Sequence, residues 1–175
     1  EPYKMIFFNG MLITLKFTFL SLILGLILGI LLALIKVSKF QILRLCARFY
    51  TSVFRGTPLL VQLFLAYFAT PQLFGYKISP INASVITFGL NSAAYVSEIL
   101  RGGIQSIDKG QREAAMALGV PYKKMMFDII IPQALRTVLP ALVNEFIALL
   151  KDSSLVSTIG VVDMMRASQV AMNAT

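Results

Sequence analysis

Two glutamates lie inside apolar stretches of the sequence, where a charged side chain is costly. Asn91, Tyr95 and Glu98 stand at i, i+4 and i+7, so an α-helix would carry them on one face. Asn144 and Glu145 lie about 13 Å along a helix from Arg136, near the middle of a bilayer. An ionisable residue at such a depth costs roughly 2.5 to 3.5 kcal/mol and usually faces a cavity or a partner. We predict that these residues bind a polar solute within a membrane.

Each glutamate also has a simpler interpretation, and the sequence leaves both open. Glu98 is one helical turn from Arg101, so the two side chains could form an ion pair and nothing more. Glu145 and Asn144 could make a hydrogen bond that only holds two helices together. Pro140 lies one turn before Glu145, and a proline kink frees carbonyls for a solute or for another helix.

Other kinds of chemistry find little support. The sequence has no histidine and a single cysteine, Cys46, which leaves no histidine metal site, no disulfide and no Ser-His or Cys-His pair. It also lacks the GxxxxGK[ST] phosphate loop, so energy from ATP would have to come from a partner. We therefore expect no catalytic residue, no metal site and no cofactor in this chain. The net charge of +8 is spread over clusters between apolar runs, which argues against nucleic-acid binding.

The elements that carry these residues are predicted to be membrane-spanning helices. Hydrophobic residues make up 57% of the chain and the mean hydropathy is +0.78, beyond the balance of soluble domains. Apolar segments cover about residues 6–35, 57–74, 81–100 and 133–150, each near or above the length of a span. Gly25 and Gly29 form a GxxxG pair that would allow close helix packing or arise by chance. We predict one all-α, multi-spanning transmembrane domain over residues 1–175.

Basic residues predict the orientation of these spans. They concentrate between the first and second segments and between the third and fourth, so these loops should be cytoplasmic and the N-terminus outside. Beyond residue 150 the chain turns polar and reaches Thr175 without another apolar run. Either the protein has four spans or a fifth is missing.

The cytoplasmic connection over residues 101–132 reads as two short helices around a tight corner. Asp108 and Gln111 have the spacing of a capping box, and Gly119 falls where a left-handed residue would close the first helix. Pro121 suits the first turn of a second helix, which Pro132 should end. A mildly apolar ridge on the first helix would dock on a partner or pack on the chain's own spans, and it consists of Ala114, Ala117 and Leu118.

At this connection the chain resembles a known family. The stretch REAAMALGVPYKKMMFDIIIPQALRTVLP is similar to the cytoplasmic signature loop of binding-protein-dependent ABC importer permeases. FRGTPLLVQLF, NSAAYVSEILRGGIQSIDKGQ and LLKDSSLVSTIG are similar to the subfamily that imports polar amino acids. The motif positions in this sequence are Glu113, Ala114, Ala115, Gly119, Ile131 and Pro132.

The resemblance implies a type I importer permease in a bacterial plasma (inner) membrane, with no catalytic activity of its own. Two permease subunits, identical or different, would pair above two ABC ATPases that bind ATP and Mg²⁺, and a soluble amino-acid-binding protein would deliver solute. The ATPase-coupling residues would be Glu113, Ala114, Ala115, Ala117, Leu118 and Gly119.

The same resemblance implies five spans, so the chain is expected to end before the fifth. The acidic groups Glu98 and Glu145 favour a cationic amino acid as solute. An ion-coupled secondary carrier or a membrane scaffold is the alternative, and co-purification with an ATPase would separate the two.

Overall fold

The computed structural model describes residues 2–173, with side chains from Lys4 onward, and the helices that they form have no strand between them. The termini of the predicted domain, at residues 1, 174 and 175, lie outside the described residues. The helices are α1 Pro2–Lys36, α2 Gln41–Gly56, α3 Leu59–Phe74, α4 Pro80–Gln105, α5 Lys109–Ala117, α6 Tyr122–Ile159 and α7 Met164–Asn173.

Small residues hold α1 tightly against α4. A Cβ added at Gly25 would lie 2.8 Å from Ser92, and one at Gly29 would lie 2.6 Å from Val96. Nearer the other end of the contact, the rings of Phe17 and Phe88 meet edge to face at 5.6 Å. The GxxxG pair is therefore a packing surface, because two helix backbones can approach this closely only where a side chain is missing.

α4 is the central helix of the fold and its side chains are covered on most sides. It contacts α1, α2, α3 and α6, and its buried residues include Ser84, Thr87, Asn91, Ser92 and Ser97. A helix surrounded by other helices meets little lipid, so it tolerates polar side chains. By length and apolarity, α1 and α6 qualify as membrane spans among the described residues, and α2 with α3 would add one if the pair is a single bent span.

The chain bends by 105° between α2 and α3, a feature that the sequence did not reveal. The Gln62 side chain donates to the Phe54 carbonyl at 2.9 Å and to Thr57 Oγ1 at 2.7 Å. Asn91 on α4 donates to the same Phe54 carbonyl at 3.0 Å and to Gln62 Oε1 at 3.0 Å. These bonds satisfy backbone groups that the break in the helix leaves open, so they stabilise the bend.

The first helix of the connection over residues 101–132 has the predicted ends. Asp108 Oδ1 accepts from the Gly110 amide at 2.6 Å, whereas the Gln111 side chain accepts from Gln133 at 3.4 Å and does not complete a capping box. Gly119 has φ +69°, its amide donates to the Met116 carbonyl, and the next amide donates to the Ala115 carbonyl. This is the Schellman arrangement, in which a left-handed residue closes a helix.

The second helix of the connection is not a separate element, and this corrects the expectation that Pro132 would end it. It begins at Tyr122 and continues as α6, through a π-helical turn over Met125–Ile130. Pro132 stands in the first turn after that π segment. The wider hydrogen-bond register of a π turn accommodates a residue without an amide hydrogen, so the helix continues past the proline.

Candidate functional site

Glu98 has both of its carboxylate oxygens bound to cations. Lys36, the last residue of α1, donates to Oε1 at 2.6 Å and also to Ser97 Oγ at 2.8 Å. Arg101 donates to Oε2 through two nitrogens, at 2.9 Å and 2.6 Å. The Lys36 side chain is only 3% exposed, so its charge depends on Glu98. The arrangement favours the ion-pair interpretation of Glu98, with Lys36 as a second partner that the sequence did not indicate.

We expect Glu98→Gln to destabilise the protein far more than Arg101→Gln. The first change leaves the buried Lys36 ammonium without a counter-charge, at a cost of roughly 3 kcal/mol. The second removes a side chain that is 40% exposed, where an ion pair contributes below about 1 kcal/mol. Thermal unfolding in detergent micelles measures both, and equal losses of stability would contradict the dominant role of Lys36.

Asn91 and Tyr95 also face other parts of the chain. Asn91 is 8% exposed and its amide group is used by the α2–α3 bend. The Arg55 guanidinium lies over the Tyr95 ring, 5.1 Å from its centroid. Gln62 was missed because a glutamine four residues after a proline carries no distinctive pattern. In this structure the face of α4 that carries Asn91, Tyr95 and Glu98 binds α1 and α2.

Glu145, the second acidic residue predicted to bind solute, forms no ion pair with any described residue. It is half-buried on α6, and the neighbouring Asn144 is exposed. The fully buried Ser92 hydroxyl of α4 approaches the Glu145 carboxylate, but the geometry falls short of a hydrogen bond. A carboxylate and a hydroxyl with unused bonding capacity therefore lie together between α4 and α6.

The predicted coupling residues divide between two sides of α5. Glu113, Ala114 and Ala117 are exposed, and Leu118 is 82% exposed at the end of the helix. Ala115 is instead 3% exposed and packs with Met125 and Ile130 beneath α5. The apolar ridge is thus not covered by the chain's own spans, which leaves it available to a partner, and Ala115 fixes α5 to the start of α6.

The family profile of the binding-protein-dependent transport system inner membrane component matches residues 25–175. The chain belongs to this family of transporter permeases. The resemblance seen in the loop sequence is confirmed, and so is the all-α, type I importer fold.

Among similar proteins, the arginine transport system permease protein ArtQ of Bacillus subtilis (strain 168) is 54% identical over 95% of this permease and 76% of its own length. The putative glutamine transport system permease protein GlnP of Rickettsia typhi (strain ATCC VR-144 / Wilmington) is 53% identical over 97% of this permease and 78% of its own length.

Solved structures agree with these relatives. A crystal structure of an amino acid ABC transporter with histidines has a chain that matches with a TM-score of 0.94 at 45% identity, over 98% of this permease and 80% of that chain. An inward-facing MetNI methionine ABC transporter matches with a TM-score of 0.77 at 20% identity, over 95% of this permease and 80% of that chain, which supports the fold alone. The permease is accordingly an integral membrane component of an ABC importer, a class that works with ATPase and binding-protein partners.

Proposed function

We propose that this permease carries a polar amino acid into the cell, with a cationic one favoured, and that Glu145 is its anionic contact. The observation that carries the proposal is the environment of Glu145, which lies on a membrane-spanning helix without an ion pair among the described residues. A buried carboxylate without a counter-charge is costly. An arriving ammonium or guanidinium would supply that charge through charge-assisted hydrogen bonds.

The other acidic candidate, Glu98, supports this choice because its carboxylate is already paired with cations of the chain. Glu98 is paired with two cations, Lys36 and Arg101, so this cluster offers no net negative charge to the path. We retain Asn91 and Tyr95 as secondary contacts that would need α2 to move, and Asn144 as an exposed amide beside Glu145. The relatives named for arginine and for glutamine are almost equally identical to this chain, so overall identity does not choose between the two solutes.

The coupling loop supports an ATP-driven mechanism. The exposed ridge of Ala114, Ala117 and Leu118 suits a cleft on an ATPase subunit, which would bind ATP and Mg²⁺ and supply the energy. This chain would be non-catalytic, would pair with a second permease subunit and would receive solute from a soluble binding protein. In this proposal residues 1–175 belong to one transmembrane domain whose fifth span is not among them, the loop over residues 101–132 is cytoplasmic, and the N-terminus is outside.

Reconstitution in liposomes tests this function. The permease would be combined with its candidate ATPase and binding protein, and ATP turnover measured with arginine, lysine, glutamine or glutamate present. We expect polar amino acids to stimulate turnover, with arginine or lysine strongest. Solute accumulation that follows an ion gradient and needs no ATP would instead favour a secondary carrier, and glutamate stimulation equal to that of arginine would overturn the cationic assignment.

A further inference from the structure

Helix α2 has three distinct stripes along its length. Its buried residues Ala47 and Thr51 face the rest of the fold. A cationic row follows at i, i+4 and i+11, and consists of Arg44, Arg48 and Arg55. An apolar stripe on another side is open, with Ile42 77%, Leu45 66% and Phe49 71% exposed. A helix with a strongly cationic side and a strongly apolar side is typical of membrane interfaces.

The dimensions of α2 do not suit a span. Its 16 residues measure about 24 Å, whereas a bilayer core is about 30 Å thick. Lys36, just before α2, lies beside Glu98, and Phe54, near its end, lies beside Asn91. The 105° bend between α2 and α3 prevents both helices from running along the membrane normal, so a spanning α3 requires α2 to lie at a shallow angle.

The cationic row has no acidic counterpart in this part of the chain. No aspartate or glutamate occurs anywhere from residue 2 to residue 97. Within the part of the chain that the structure describes, neither Arg44 nor Arg48 lies within ion-pair distance of a carboxylate, and Arg55 rests on Tyr95. A span that carried three guanidinium groups along 16 residues would be costly, so these charges point to the headgroup region.

An apolar cavity of about 310 Å³ lies in the angle between α2 and α3. Its lining is mainly apolar and includes Val53, Val61, Leu65, Ile86 and Leu90. The cavity and the open apolar stripe provide a surface for acyl chains beside the cationic row. A solute path is the poorer match, because three guanidinium groups along it would repel the cationic solute proposed above.

We propose that α2 is an interfacial helix of the cytoplasmic leaflet whose Arg44 and Arg48 bind the phosphate of anionic lipids. The apolar stripe of Ile42, Leu45 and Phe49 enters the acyl region, while the guanidinium groups remain at headgroup level. Each arginine near an anionic leaflet contributes about 1 kcal/mol of attraction, so the preference for anionic over zwitterionic lipid changes about fivefold per arginine.

The absence of tryptophan from the sequence makes a local test possible. Phe49→Trp places a single tryptophan on the exposed apolar stripe, and the permease is put in nanodiscs of phosphatidylcholine with an equal share of phosphatidylglycerol. Brominated chains on one lipid or the other then quench the tryptophan. We expect quenching by both lipids and stronger quenching by brominated phosphatidylglycerol, with the excess reduced by high salt.

The decisive variant adds Arg44→Gln and Arg48→Gln to Phe49→Trp. The phosphatidylglycerol preference should fall roughly 25-fold, about fivefold for each charge. Lys123→Gln with Lys124→Gln removes the same charge from exposed residues elsewhere on the cytoplasmic side and should leave the preference unchanged. No quenching by either lipid, or an unchanged preference in the arginine variant, would overturn the proposal. Loss of solute-stimulated ATP turnover in every lipid, with no quenching, would place α2 on the solute path instead.

Discussion

Gly119→Val is expected to uncouple solute binding from ATP hydrolysis in the reconstituted importer. Gly119 has φ +69°, a conformation that costs a residue with a Cβ about 1 to 2 kcal/mol and a β-branched residue more. This strain favours other backbone conformations at residue 119, in which the angle between α5 and α6 is different. A shift of about 1.4 kcal/mol lowers the population of the docking-competent corner roughly tenfold. Solute-stimulated ATP turnover should fall by a similar factor.

Gly119→Asn provides the matched control, since asparagine tolerates the left-handed conformation. It should restore most of the turnover. The space around Gly119 is open, with no atom within 4 Å of an added Cβ, so steric conflict inside the permease does not account for the valine defect. Full activity of Gly119→Val in a folded protein, or an equal defect in Gly119→Asn, would show that the Schellman corner is not required for coupling.

Glu145→Gln is expected to weaken arginine binding by about 10- to 100-fold and to leave glutamine binding nearly unchanged. A hydrogen bond to a charged group contributes about 1.5 to 3 kcal/mol, and the amide keeps the shape of the side chain while removing its charge. Binding of radiolabelled amino acids to the reconstituted permease measures this difference.

Asp152→Asn is the control for Glu145→Gln. It removes the same charge two turns further along α6, at an exposed position. We expect arginine affinity to stay within about twofold of the wild type, because screening weakens an exposed charge at that distance. If Glu145→Gln keeps full arginine affinity while the protein stays folded, Glu145 is a structural residue and the cationic preference fails.

The failure of one proposal can be distinguished from the failure of the others. Gly119 and its corner lie in the connection between α5 and α6, whereas Glu145 lies within α6. A coupling defect should leave arginine binding intact, and a binding defect should leave basal ATP turnover intact. The lipid contact of α2 is measured by tryptophan quenching, which requires neither arginine binding nor ATP turnover.

Local patterns in the sequence were sufficient to predict the turn at Gly119 between α5 and α6. The N-cap at Asp108 and the left-handed closure at Gly119 depend on residues within one turn of each other, so their types and spacing determine the geometry. The apolar segments likewise follow from composition, because a chain so rich in hydrophobic residues requires lipid or protein around each one. The all-α membrane fold was predicted on this basis, whereas the family was predicted from the resemblance of the loop sequence.

The pairing of polar residues across helices was decided by tertiary structure. Nothing within one turn of Lys36 or Glu98 indicates that these two residues, 62 positions apart, form an ion pair at 2.6 Å. Likewise, Asn91 and Gln62 form their hydrogen bond only because α2 and α3 bend beside α4. The bend removes local hydrogen bonds, and side chains of α3 and α4 that the fold brings together replace them.

The same distinction explains the two glutamates. By itself the sequence determined that Glu98 and Glu145 are acidic groups in apolar surroundings, since hydropathy is a local property. Which of them has a cationic partner depends on how the helices pack, and the α1–α4 contact places Lys36 beside Glu98 while no lysine or arginine among the described residues forms an ion pair with Glu145. Long-range packing therefore decided which carboxylate remains for a solute, because Coulomb attraction at this strength acts only across a few ångströms.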